Sequence, residues 1–346
     1  MAETRPLGPL MVDLRGEELR DEEREFLRHP AVGAVILFER NHRDKAQTAE
    51  LAAEIKAARN PPPLIAVDQE GGTVQRLRGG FHELPAPAQL GELYDRDRGR
   101  ALELAAGAGQ LMAAEALQAG ADFSFAPVLD CANARSRVIG ARAFHRDADA
   151  VCELARAYAG GMRRAGMAAT GKHFPGHGGV SGDSHQVLPE DARDFGEIET
   201  ADLRPFAEIA PHLAGVMTAH VLFKKIDAQV PAYSRFWLQK ILREKLQFNG
   251  VIFSDDLSMR GARGEEEGDD IASRATRALA AGCDFALICN APEAARAAAE
   301  RIGDAHRPDP ARLSALRASA PAAAPDAAEL ARIAGKLAEL PGGRAA

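Results

Sequence analysis

Residues 250–256, Gly-Val-Ile-Phe-Ser-Asp-Asp, run apolar without alternation and then deliver two adjacent carboxylates, Asp255 and Asp256. A strand with one wet face alternates apolar and polar side chains. A run apolar on both parities belongs to a strand covered on both faces, as in a parallel sheet. Seven other stretches share this character: PLMVDL (9–14), VGAVILF (32–38), LIAVDQ (64–69), DFSFAPVLD (122–130), MAATGKHF (167–174), AGVMTAH (214–220) and CDFALICN (283–290). The segments between them are helical in pattern. Residues 46–60 carry apolar side chains at helical spacing and stop at a triple proline; residues 102–120 end on Gly120; residues 234–250 start at the N-cap Ser234; residues 269–282 form another. Eight buried strands alternating with helices predict an α/β fold, a single (β/α)8 barrel, with a doubly wound open sheet as the alternative. The barrel is preferred because polar residues close several strands: Asp68, Asp130, His173, His220 and Asp255 with Asp256. In barrels of this kind the chemistry sits at the C-terminal ends of the strands. The Ala-rich tail after residue 305 reads as extra C-terminal helices packed outside. No linker or low-complexity block divides the chain, so one domain over residues 1–346 is expected.

The whole-chain composition narrows the function classes. The chain is 46% hydrophobic, 27% charged and 5% aromatic, with a formal net charge of −7. A mildly acidic chain carries no electrostatic footprint for nucleic acid or an anionic membrane. Cys131, Cys152, Cys283 and Cys289 form no CxxC pair and read as buried thiols. The first residues do not read as a signal peptide and no stretch of the chain reads as a membrane span, so a cytoplasmic monomer is expected.

Four constellations carry chemistry-bearing groups. Asp255 and Asp256 sit on neighbouring strand positions, so different surroundings are expected for the two; helix capping is their competing role. In IAVDQEGGTVQRLRGG (65–80), Asp68 ends a strand, Gly71-Gly72 turn the chain, and Arg76 and Arg78 follow. A carboxylate accepting hydroxyls and a guanidinium fork suit a sugar; the spacing is not that of a phosphate loop. In VIGARAFHRD (138–147), Arg142 lies between small and apolar residues, and alone it reads as structural. The fourth is KHFPGHGGVSGDSH (172–185), with Lys172 and His173 at a strand end, then a glycine-rich loop that reads as mobile. There Asp183 stands two residues before His185, close enough to bond one ring nitrogen, orient the ring and raise its pKa. His173, His177, His185, Asp183 and His220 also form a conceivable metal set, but no motif fixes two of them on one rigid element.

Taken in order, VDQEGGTVQR, FAPVLD, VIGARAFHRD, KHFPGHGGVSGDSH and FSDDLSM resemble the motifs of glycoside hydrolase family 3. The resemblance is to the single-domain members that remove N-acetylglucosamine in bacterial cell-wall recycling. It implies a (β/α)8 barrel, no metal and no organic cofactor. It also implies Asp255 as nucleophile, His185 as general acid/base, and Asp183 as its dyad partner. Asp68, Arg76, Arg142, Lys172 and His173 would bind the sugar. The implied substrate is a peptidoglycan fragment, N-acetylglucosaminyl-1,6-anhydro-N-acetylmuramic acid with or without peptide. Ala141 before Arg142 and Gly182 before Asp183 depart slightly from the family pattern and leave loop geometry open.

The implied chemistry is a two-step displacement with retained configuration, in which a histidine replaces the second carboxylate that such glycosidases usually carry. The glycine-rich loop would let the dyad close over the sugar and open again. Because a histidine is neutral after giving up its proton, phosphate is an alternative acceptor to water, which would make the chain a phosphorylase. A metal-dependent hydrolase and a sugar-binding barrel without turnover are the remaining alternatives.

Overall fold

The computed structural model describes residues 6–133, 136, 138–184, 186–263, 269–319 and 325–340. Eight strands form one sheet: β1 (Leu10–Asp13), β2 (Val32–Leu37), β3 (Leu64–Val67), β4 (Phe123–Ser124), β5 (Ala169–Phe174), β6 (Leu213–Thr218), β7 (Val251–Asp256) and β8 (Phe285–Ile288). Each lies within one of the eight apolar runs or overlaps it. Consecutive strands pair in parallel everywhere except between β4 and β5, and β8 returns to β1. Closure between β4 and β5 comes from a parallel bridge between Val128 and Lys172. There the Thr170 N–H donates to the Ala126 carbonyl at 2.8 Å and the Leu129 N–H to that of Lys172 at 2.7 Å. The expected barrel is therefore present, not the open sheet. β4 is shorter than the run that contains it, in part because Pro127 has no N–H to give a ladder.

Helices cover the outside. Lys45–Ala57 is capped by Asp44 Oδ1, which accepts the Gln47 N–H at 2.9 Å, and it ends before the prolines. Phe236–Lys245 winds with wide π-type turns, and Ser234 Oγ accepts the Trp237 N–H at 3.0 Å at its start. Gly120 follows Arg98–Gln118 at φ +89°, the left-handed geometry expected of a C-cap glycine. The tail supplies Pro310–Leu316 and Ala327–Ala338. The second packs on Arg98–Gln118, where Gln110 donates to Glu329 at 3.0 Å and Lys336 pairs with Glu103 at 2.6 Å.

The barrel interior is aromatic. The Phe253 ring stacks on Phe285 at 5.4 Å between centroids and meets Phe125 edge-on at 5.2 Å and Phe123 at 5.6 Å. All four rings are fully buried. Lys172 Nζ lies 5.9 Å above the Phe125 ring, so this apolar layer is the floor beneath the polar groups at the barrel mouth. The four cysteines are buried and unbridged, as expected.

Candidate active site

A cavity of about 480 Å³ opens at the C-terminal ends of the strands, and Asp68, Arg76, Arg142, Lys172, His173, Asp183 and Asp255 all line it. These are all the sequence-predicted site residues except His185, which lies outside the described residues. A larger cavity of about 810 Å³ opens at the opposite end of the barrel, beside Arg163, His212 and Arg312, and holds none of them.

One wall is a buried ion network. Lys172 Nζ lies 2.6 Å from Asp68 Oδ1 and 2.6 Å from Glu70 Oε1. Arg142 grips Glu70 through Nε and Nη2, each at 2.8 Å. Burial pushes the Glu70 carboxyl up, but Arg142 and Lys172 outweigh it and hold the group well below the carboxylate range. The same partners keep Arg142 and Lys172 charged against the cost of burial. Arg76 Nη2 stands 3.9 Å from Asp68, and the guanidinium lies 5.8 Å from the Phe38 ring centroid. The loop that starts this wall turns at Gly71 and Gly72, with φ of +107° and +57°. A Cβ on Gly71 would meet the Pro85 carbonyl oxygen at 2.3 Å, so the turn requires glycine.

A second wall is built on Asp130. Its Oδ2 lies 2.6 Å from His173 Nδ1, and its Oδ1 accepts the His177 N–H at 2.6 Å. Burial raises the Asp130 carboxyl, but the two histidines reverse that and keep it ionised. His173 Nε2 is left facing Arg142 Nη2 at 3.5 Å.

At the end of β7 the two aspartates differ as expected, though both line the cavity. The β7–β8 pairing shifts register between Phe253 and Asp256, and such an irregularity re-aims side chains that strict alternation would place on opposite faces. Asp255 Oδ1 accepts the Asp256 N–H at 2.8 Å. Burial raises the Asp255 carboxyl; His220, His173 and Lys172 with that N–H more than offset it, so the group is an ionised nucleophile candidate. Asp256 Oδ1 accepts the Cys289 N–H at 3.0 Å and Oδ2 the Ser258 hydroxyl at 2.6 Å. Burial, with Asp255 beside it, lifts Asp256 to about 6. Behind them His220 Nε2 bonds the Asp256 carbonyl at 3.1 Å.

The opening half of the glycine-rich loop departs from expectation. Residues 173–178 are buried, not mobile surface chain. A Cβ on Gly178 would overlap the Cys131 carbonyl oxygen at 1.8 Å, so small residues are what lets this loop pack inward. Asp183 reaches the cavity rim, where its Oδ2 accepts from Gln186 Nε2 at 3.1 Å. Among the described residues no group of three or more His, Cys, Asp or Glu is arranged to hold a metal ion.

Two buried carboxylates central to this geometry were missed as site residues: Glu70 and Asp130. Glu70 stands two positions after Asp68, the spacing that puts two strand residues on one side, and that parity was the available signal.

Comparison with known proteins adds an independent line. Residues 8–307 match the family described as "Glycosyl hydrolase family 3 N terminal domain". A protein named Beta-hexosaminidase from Thioalkalivibrio sulfidiphilus is 52% identical over 90% of this chain and 88% of its own length. A protein of the same name from Methylococcus capsulatus is 55% identical over 84% of this chain and 86% of its own. The crystal structure of native NagZ from Neisseria gonorrhoeae superposes with a TM-score of 0.89 at 40% identity, covering 97% of this chain and 98% of that one.

Proposed function

Since the chain belongs to glycosyl hydrolase family 3 and is a β-N-acetylhexosaminidase, we propose that it removes terminal N-acetylglucosamine with retention, through a glycosyl intermediate on Asp255. The observation that carries this reading is the pair of facing features at one cavity. A buried carboxylate is kept ionised at the end of β7, beside a wall of fixed charged donors that suits a sugar's hydroxyls.

The roles are assigned from the family motifs, and the shared cavity of Asp68, Arg76, Arg142, Lys172, His173, Asp183 and Asp255 supports them. Lys172, Arg142, Asp68, His173 and Arg76 hold the sugar so that its anomeric carbon faces Asp255. Asp255 attacks that carbon while the glycosidic bond breaks, and His185, partnered by Asp183, gives its proton to the departing oxygen. Neutral His185 then takes a proton from water as the water oxygen attacks the same carbon, which frees Asp255 and completes retention. No step calls on a metal or an organic cofactor. The substrate class is a peptidoglycan fragment ending in N-acetylglucosamine linked to 1,6-anhydro-N-acetylmuramic acid, turned over in the cytoplasm during cell-wall recycling. Residues 1–346 act as one catalytic unit.

The test is release of 4-nitrophenol from its β-N-acetylglucosaminide against the β-glucoside, with and without inorganic phosphate. Preference for the N-acetyl sugar and free N-acetylglucosamine as product support the hydrolase. N-acetylglucosamine 1-phosphate as the main product would replace water by phosphate as the acceptor.

A further inference from the structure

The loop that carries Asp183 is tied down by residues to which the mechanism gives no role. Ser184 is almost fully buried, although Gln186 and Val187 just beyond it are exposed, Val187 to 51%. Its Oγ lies 3.0 Å from His177 Nε2. Its carbonyl accepts the Gly261 N–H at 2.8 Å, joining the loop to the chain that follows β7. A Cβ on Gly261 would stand 2.9 Å from that oxygen and 3.2 Å from Ser184 Cβ, so the approach is closed to larger residues. His177 is itself fixed, because Asp130 accepts its backbone N–H while also holding the His173 ring.

We propose that His177 and Ser184 are positioning residues, whose hydrogen bond seats the Asp183 segment at the cavity rim in fixed relation to His173. The chain His173–Asp130–His177–Ser184 then gives sugar binding and proton delivery a common scaffold. The link is buried when the segment is seated, since Asp130, His177 and Ser184 are each no more than slightly exposed. A small displacement at such a site costs rate in the step that depends on the displaced group, and spares steps that do not. The proposal rests on the reading of Asp183 and His185 as the acid/base dyad.

The experiment compares kcat/KM for two aryl β-N-acetylglucosaminides, one with 2,4-dinitrophenol as leaving group and one with phenol. The activated substrate departs with little proton assistance; the poor one needs it. The enzymes are wild type, Ser184→Ala, Ser184→Thr, His177→Phe and, as reference, Asp183→Ala. We expect Ser184→Ala and His177→Phe to lose at least about tenfold more on the phenyl than on the dinitrophenyl substrate. Ser184→Thr, which keeps the hydroxyl, restores most of that ratio. Both substrates are assayed on one preparation, so partial unfolding of a variant cancels. Equal losses on the two substrates for Ser184→Ala, with a steep leaving-group dependence in Asp183→Ala, would overturn this proposal alone. A flat dependence in Asp183→Ala would overturn the dyad reading and the proposal with it.

Discussion

Arg142 and Glu70 meet as a two-bonded fork, with Nε and Nη2 each 2.8 Å from a carboxylate oxygen, on a side chain that is 1% exposed. Glu70 also pairs with Lys172, so one carboxylate behind the cavity lining holds two cations that line it. Glu70→Gln keeps the shape and removes the charge, leaving Arg142 without its fork and Lys172 with Asp68 alone. Breaking a buried pair by removing one partner costs roughly 3 kcal/mol or more. Thermal unfolding of Glu70→Gln should show a lowered midpoint, and KM for an aryl N-acetylglucosaminide should rise. An unchanged midpoint would mean that the network contributes no net stability.

Acid should unfold the protein partly through His177. Burial, then the neighbouring His173, lowers its ring from 6.5 to about 4. The unfolded chain therefore binds the proton first, and stability present above about pH 6.5 is lost as pH falls toward about 4, by up to roughly 3 kcal/mol. Glu70, Asp130 and Asp255, whose carboxyls are lowered, lose stability in the acid range too. His177→Gln isolates the histidine: its melting temperature should fall less between pH 7 and 5 than that of wild type. Equal falls would show that His177 does not carry this titration.

Asp256 has the opposite sign. Its carboxyl is raised from 3.8 to about 6, so the folded state binds the proton more tightly than the unfolded. That contribution is full below about pH 4 and is lost as pH rises through about 6. Asp256→Asn, which cannot ionise, lacks that loss and should gain more stability than wild type on going from pH 5 to 7. A smaller gain in the variant would contradict the raised value.

The Phe253 ring fills the barrel beneath the site, touching Phe285, Phe123 and Phe125. Phe253→Ala should destabilise by about 3–5 kcal/mol, because the closed barrel cannot collapse around the cavity left behind. Denaturant unfolding measures it, and a loss below about 1 kcal/mol would mean that the interior repacks freely.

The eight strands were readable because burial on both faces removes polar residues from both parities, as in Val32–Leu37, which is buried throughout. Asp68, His173 and Asp255 were readable because a barrel turns the ends of those strands into one rim. Pairings between strands were harder to read. Glu70 meets Arg142 across 72 positions of sequence, and Asp130 meets His173 across 43, so their roles appear only when the barrel closes. The loop from His173 to Gly178 misled for a related reason. Glycines that suggest freedom in isolation here allow close backbone packing, as at Gly178 against Cys131.

On the proposed mechanism Asp255 bonds to the sugar's anomeric carbon. A 5-fluoro derivative of an N-acetylglucosaminyl donor, which slows release of the intermediate, should inactivate the enzyme with one label per chain. Peptide mapping by mass spectrometry should place that label on Asp255, and Asp255→Ala should take up none and lose at least about a thousandfold in kcat/KM. A label on any other residue, or normal turnover by Asp255→Ala, would rule out Asp255 as the nucleophile.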